Sequence, residues 1–184
     1  EPLDMRFNSY QELQTENITA EEIVNHYSYD ELVKILKEYG EERFAKLIAA
    51  GITKARKEKL IKSTFELIEI IKNSVPFWYR RGRLHYATKT FQALRIAVNK
   101  ELENIQAGLN QALQVLVSGG KLAIISFHSL EDRIVKNFFR EQARAGELVI
   151  VTKKPISASF AEVAANPRAR SAKLRVAEKL GVSF

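Results

Sequence analysis

The sequence predicts an α/β chain: a helical first half, then a short region that alternates strand and helix. Three observations carry this reading. Helix-start signals recur ahead of amphipathic runs over about the first 75 residues. The apolar period then changes at Lys121–Ser126, a short continuous run of the kind found in strands buried on both faces. Two more strand-like stretches, Glu147–Thr152 and Ala172–Ala177, follow a helix-patterned segment and a loop containing Lys154-Pro155 and Asn166-Pro167.

In chain order, Thr19 with Glu22 and Ser28 with Glu31 fit the S/T-x-x-E capping box, in which each side chain satisfies an orphan amide of the first turn. Leu32, Val33, Ile35, Leu36 and Tyr39 make an apolar stripe that Gly40 can stop. A third helix is expected from Glu41 to about Lys57, and a fourth from Ser63 to Asn73, ended by Pro76. Val75–Tyr86 breaks the pattern as a loop mixing aromatics with Arg80, Arg81, Arg83 and His85. Such interleaving suits RNA, because bases stack on rings and guanidinium planes while Arg meets phosphate. An interdomain hinge with packed aromatics fits the same residues.

Thr88 to Val117 reads as one long helix or two end to end, closed by Gly119-Gly120. After the Lys121–Ser126 strand, Ser129 is a natural helix N-cap, and Ile134, Val135, Phe138 and Phe139 form the core side of a helix that ends near Gly146. The strand Lys121–Ser126 finds no parallel neighbour upstream in this chain, so further strands are expected from another segment or another chain.

The chain has 184 residues, of which 46% are hydrophobic and 28% charged, globular values with no run long enough to span a bilayer. Without cysteine there is no disulfide, thiolate metal site or Cys nucleophile, and a reducing cytosol fits best. His26, His85 and His128 share no ligand spacing, so no metal is expected. The balance of 29 Lys and Arg against 22 Asp and Glu gives +7, which favours a polyanionic partner without establishing one. The sequence opens on Glu1-Pro2-Leu3 rather than Met, contains no charged n-region followed by an apolar h-region, and reads as a piece of something longer.

In an open parallel sheet ligands gather beyond the carboxyl ends of the strands, so the loop after Ile125 is the first place to look for chemistry. It holds Ser126-Phe127-His128-Ser129-Leu130-Glu131-Asp132-Arg133, the densest group of reactive side chains. Helix capping and first-turn acids explain Ser129 through Asp132 equally well, with Arg133 pairing to either acid. His128 is harder to dismiss, because a polar ring at the end of a buried strand needs a partner or a job. Neither G-x-G-x-x-G nor a P-loop occurs, and Gly119-Gly120 precedes a strand rather than a helix.

These residues match a known pattern. Thr90-Phe91-Gln92-Ala93-Leu94-Arg95-Ile96 with Val98-Asn99, and Gly119-Gly120-Lys121-Leu122-Ala123-Ile124-Ile125-Ser126-Phe127-His128-Ser129-Leu130-Glu131-Asp132-Arg133, stand beside Pro2-Leu3-Asp4-Met5-Arg6, Tyr39-Gly40-Glu41-Glu42-Arg43-Phe44-Ala45 and Asn166-Pro167-Arg168-Ala169-Arg170-Ser171. Together they closely resemble the bacterial small-subunit rRNA cytosine-N4 methyltransferases, the RsmH or MraW family, from end to end of the chain. Tyr86 and Glu1 depart from that pattern, standing where Pro and Gly are expected.

The resemblance implies a partial Rossmann-like, S-adenosylmethionine-dependent methyltransferase sheet plus an all-helical substrate-recognition domain. Residues 1–6 would be a remnant of the N-terminal Rossmann half, 7–86 the recognition domain and 87–184 the C-terminal half. The family's cofactor-binding residues would lie upstream of Pro2, leaving none in this chain. The implied substrate is a cytidine in the decoding region of 16S rRNA in the small ribosomal subunit. Ser126 and His128 are the candidate catalytic residues, and they line a base pocket with His85 and Asn99. Arg6, Arg80, Arg81, Arg83, Arg133, Arg168 and Arg170 are the candidate RNA contacts. A standalone RNA-binding module that has lost catalysis, and a homodimer paired through the open strand edge, are the rival expectations.

Overall fold

The computed structural model describes residues 1–7 and 18–181; residues 8–17 of the expected recognition domain lie outside the described residues. The chain packs as two compact units, Glu1–Glu101 and Leu102–Phe184.

The first unit is helical: α1 (Ala20–His26), α2 (Tyr29–Glu38), α3 (Ala45–Glu58), α4 (Thr64–Ser74), the single turn α5 (Phe77–Arg80) and α6 (Thr88–Asn99). Thr19, Ser28 and Ser63 each close a full capping box with the glutamate three residues on, which fixes where α1, α2 and α4 begin. The third helix starts later than its pattern suggests, because Glu42 turns the chain first: its carboxylate accepts from the Phe44 amide at 2.9 Å. Leu36, Ile48, Ile52, Leu67, Ile71 and Leu94 are buried to within 1% exposure in one apolar cluster. Gly40 is needed for close approach, since a Cβ there would stand 2.6 Å from the Lys89 carbonyl oxygen of α6 and 2.8 Å from that of Leu36.

The N-terminal segment is woven into this unit. Leu3 is fully buried in its core, its amide donates to the Lys62 carbonyl at 3.2 Å, and Pro2 bridges Ser63. The Ala20 and Glu21 amides donate to the Asp4 and Leu3 carbonyls.

The second unit comprises the bulk of α7 (Glu101–Val115), then β1 (Lys121–Ser126), α8 (Ser129–Arg144), β2 (Leu148–Ile150), β3 (Ile156–Ser157), α9 (Phe160–Ala165), a 3-10 turn (Pro167–Ser171) and β4 (Lys173–Lys179). The 88–117 stretch is therefore two helices, broken where Lys100 takes a left-handed φ of 48°. Lys179 rather than the glycine pair closes α7, its Nζ donating to the Leu113 and Leu116 carbonyls at 2.8 and 2.7 Å. The long loop before the last strand contains β3, α9 and the 3-10 turn, and the aromatic loop contains α5.

The sheet corrects the expectation of parallel strands. Its order is β1-β4-β2, β3 also pairs with β4, and every pairing among the described residues is antiparallel. β1 and β2 do run parallel to each other, but β4 is inserted between them. Leu122 and Ile124 of β1 pack with Val135, Phe138 and Phe139 of α8 and Leu109 of α7. Ala123 and Ile125 point to the other face, and Ile125 is 58% exposed, so β1 is not doubly buried in this chain. An apolar run reads the same whether its second face is covered within the chain or lies open.

Candidate functional site

In the sheet unit, β1 delivers Ser126 and the following loop to the start of α8. Ser126 is buried and its hydroxyl donates to the Lys173 carbonyl at 3.4 Å. The helix cap is His128 and not Ser129. The Glu131 amide donates to His128 Nδ1 at 3.3 Å, and Glu131 Oε2 accepts from the Phe127 and His128 amides at 2.7 and 3.1 Å. An accepting Nδ1 places the hydrogen of the neutral ring on Nε2, which stands 3.5 Å from Glu131 Oε1. The imidazole is thus held by its own helix, with Nε2 buried beside Glu131.

One turn into α8, Asp132 reaches β4. The Arg175 guanidinium grips it with two bonds, Nε to Oδ1 at 2.7 Å and a terminal nitrogen to Oδ2 at 3.1 Å, and Lys173 Nζ lies 3.5 Å from Oδ2. The Arg175 bond chiefly, against desolvation, holds the Asp132 carboxyl below the usual carboxylate range. Asp132's bidentate partner comes from β4, a pairing that local spacing could not reveal.

Strand register gathers one end of this unit. Ser126 and Ser157 both pair with Lys173, so the 3-10 turn that leads into β4 sits at the sheet end from which the His128 loop departs. Asn166 caps that turn through the Arg168 amide at 3.2 Å, leaving Arg168 and Arg170 exposed on it. Ser126, His128, Arg168 and Arg170 thus come to one end of one sheet.

The helical unit holds the remaining candidates in two places. Arg6 forks onto Asp4, Nε to Oδ1 at 2.7 Å and a terminal nitrogen to Oδ2 at 2.8 Å, which lowers the Asp4 carboxyl's pKa. Asn99 grips the same segment: Nδ2 donates to the Met5 and Arg95 carbonyls at 2.9 and 2.8 Å, and Oδ1 accepts from the Phe7 amide at 2.9 Å. Arg80, Arg81, Arg83 and His85 cluster instead on and after α5. Arg80 donates to the Val75 carbonyl, Arg81 lies 4.4 Å from the Phe77 ring centroid, and the His85 ring stacks on Tyr86 at 4.2 Å. Arg83 is exposed.

Arg43, which sequence reasoning missed, joins this second cluster with its guanidinium 5.0 Å from the Trp78 centroid and 5.1 Å from that of Phe44. Tyr79 turns inward and donates its hydroxyl to the buried Glu42 carboxylate at 2.8 Å; burial, then Glu42, pushes the phenol's pKa well up. The only signal for Arg43 was its place in the Glu41-Glu42-Arg43-Phe44 run, which carries no local pattern of its own.

The Gly119-Gly120 pair ahead of β1 is not shaped as a phosphate or nucleoside cradle. A Cβ on Gly119 would meet nothing within 4 Å, and one on Gly120 would meet the chain's own Leu116 side chain and Val117 carbonyl at 2.8 Å. Neither glycine opens a cradle onto a helix N-terminus. No helix among the described residues is long and apolar enough to cross a membrane.

Residues 1–180 match the MraW methylase family. The chain is 53% identical over 180 residues to the ribosomal RNA small subunit methyltransferase H of Persephonella marina, covering 98% of this chain and 60% of that protein. It is 49% identical to the protein of the same name from Citrifermentans bemidjiense and 50% identical to that from Halothermothrix orenii, covering 97% of this chain and 61% of each relative. The chain spans about three fifths of the length of the curated relatives it matches.

Proposed function

Because the chain belongs to the MraW methylase family, we propose that it is the RNA-handling part of a small-subunit rRNA methyltransferase, one that transfers a methyl group from S-adenosylmethionine to N4 of a cytidine in the decoding region of 16S rRNA. The observation that carries this reading is the family match over residues 1–180. On it, the helical unit receives the RNA and the sheet unit is the C-terminal half of a Rossmann-like domain. The methyl donor is held by residues outside this chain, in the part of the relatives that the chain does not span. Strands from that part cover the open edge of β1, where the backbone offers unpaired donors and acceptors.

The cytosine amine is delocalised into its ring and is a poor nucleophile, so transfer is first a problem of holding it in line with the donor methyl. A nearby acceptor must polarise the N–H as the bond forms. The base must also leave its stack to reach a pocket. Ser126 and His128, at the end of β1, are assigned to the target base. His128 takes part through Nε2, since Nδ1 is occupied by the Glu131 amide. Arg80, Arg81, Arg83 and His85 meet phosphates and bases on the helical unit, and Arg133, Arg168 and Arg170 meet phosphates on the sheet unit. Arg6 and Asn99 act by fixing the Met5–Phe7 backbone beside the substrate.

The test is reconstitution. The chain is mixed with the remaining part of the Persephonella marina relative, and transfer of labelled methyl from S-adenosylmethionine to small-subunit RNA is followed. Label in 16S rRNA only when both pieces are present, reduced at least tenfold by His128→Ala, is the expected result. RNA retention by the chain with no transfer in any mixture, while the intact relative is active, would replace this reading with the standalone RNA-binding module.

A further inference from the structure

We propose that Trp78, with Phe77 and Arg43, forms a stacking platform for unpaired bases, so that this face of the helical unit selects single-stranded over duplex RNA. The inference rests on reading the protein as one that acts on RNA, and it adds which feature of the RNA the face recognises.

The platform follows from how α5 is pinned. Its second pair of side chains is tied down, the Tyr79 hydroxyl on buried Glu42 at 2.8 Å and the Arg80 guanidinium on the Val75 carbonyl at 3.2 Å. In a single turn that anchoring sends the first pair outward, and Phe77 is 62% and Trp78 58% exposed. Rings of this size normally find cover, and two adjacent ones left more than half exposed mark a recognition surface.

Trp78 is also braced. Phe44 meets its ring edge-on at 5.7 Å and Tyr79 at 6.1 Å, and Arg43 lies over it at 5.0 Å. A ring already held in one orientation loses little freedom when a base stacks on it. Arg81 repeats the arrangement on Phe77 at 4.4 Å. A guanidinium stacked on a ring keeps its N–H groups at the rim, where they can take phosphate oxygens.

Charge selects the same partner. Residues 76–90 contain Arg80, Arg81, Arg83 and Lys89 and no Asp or Glu, while Glu42 beneath them is 2% exposed and spent on Tyr79 and Phe44. Half-exposed rings, each with a guanidinium on one side, alternate with cations as bases alternate with phosphates in a single strand. A duplex offers the phosphates but keeps its bases stacked inside, out of reach of the rings.

Trp78 is the sole tryptophan of the chain, so its fluorescence reports the platform directly. The 184-residue chain is titrated with a 12-nucleotide single-stranded RNA, with the same sequence as a blunt duplex, and with heparin as a polyanion without bases. Binding is followed separately by anisotropy of labelled RNA. The single strand is expected to quench Trp78 saturably and to bind roughly tenfold or more tighter than the duplex, with no quenching by heparin. Trp78→Ala should weaken single-strand binding by roughly 5- to 150-fold while leaving the duplex, heparin and the salt slope unchanged. Trp78→Phe, which keeps a ring, should retain most of the affinity. Single-strand binding with unquenched emission and no effect of Trp78→Ala overturns the platform and leaves the RNA reading standing; equal quenching by heparin also overturns it. Absence of any RNA binding overturns both. Quenching by the single strand without methyl transfer in the reconstituted mixture overturns the enzyme reading alone.

Discussion

Asn99 shows how one side chain can hold a strained backbone. Met5 has a φ of 66°, a left-handed conformation that costs a residue with a Cβ roughly 1–2 kcal/mol. The Asn99 amide holds the backbone directly after that residue, donating to the Met5 carbonyl and accepting from the Phe7 amide, and its second donor ties it to Arg95 one turn back in α6. Asn99→Ala removes all three bonds and leaves the Met5 conformation unsupported. It is expected to destabilise the helical unit by about 1–3 kcal/mol, read as a lower denaturation midpoint of Trp78 fluorescence. In the reconstituted enzyme the same substitution should cost methyl transfer well beyond its loss of stability, because the segment it fixes is assigned to the substrate side. Asn99→Asp does not rescue, since it keeps the acceptor and loses both donors.

Among elements, the join between α8 and β4 carries a pH dependence through one buried ion pair. Asp132 and Arg175 are 12% and 9% exposed at their side chains and meet in a two-bond fork. The folded Asp132 pKa lies below that of an unfolded aspartate, about 3.9, so the pair's contribution is fully present above that pH. It is lost as pH falls through the lowered value. Amide exchange of α8 and β4 measured between neutral pH and pH 3 should show protection falling only in the acid limb. Asp132→Asn strands a buried guanidinium, should cost roughly 3 kcal/mol at neutral pH, and should flatten that limb.

The same elements show what sequence could reveal. The boxes at Thr19 and Ser28 were legible because a cap and its reciprocal glutamate lie within one turn, and the box that Ser63 closes with Glu66, read only as a helix start, has the same spacing. His128 escaped because histidine is not an ordinary cap residue, although Glu131 stands at the reciprocal position. The insertion of β4 between β1 and β2 was not legible, since pairing across the chain leaves no trace in local periodicity. The site divides the same way: Arg80, Arg81, Arg83 and His85 share one segment and were read together, whereas Arg43 reaches Trp78 only through the packing of Phe44 and Tyr79. Arg6 was read as a candidate RNA contact, and the structure pairs its guanidinium with Asp4 two residues away.

At the scale of the whole molecule, the two apolar clusters share no residue: one runs from Leu3 to Val98, the other from Leu109 to Ala177. Each unit therefore carries the burial that stabilises it, and a cavity opened in one core should be felt there alone. The sole tryptophan lies in the helical unit, so its emission follows that unit while far-UV circular dichroism follows both. Phe139 is 1% exposed in the second cluster, and Phe139→Ala should cost that unit roughly 3–5 kcal/mol. Denaturant titration is expected to show the dichroism curve splitting into an early phase while the Trp78 midpoint stays put. Leu94→Ala, in the first cluster, should do the reverse and pull the Trp78 midpoint down with a loss of about 2–5 kcal/mol. Midpoints that move together in both variants would mean that the chain unfolds as one cooperative body. Separate midpoints would mean that the helical unit keeps its fold while the sheet unit opens, each unit being its own cooperative body.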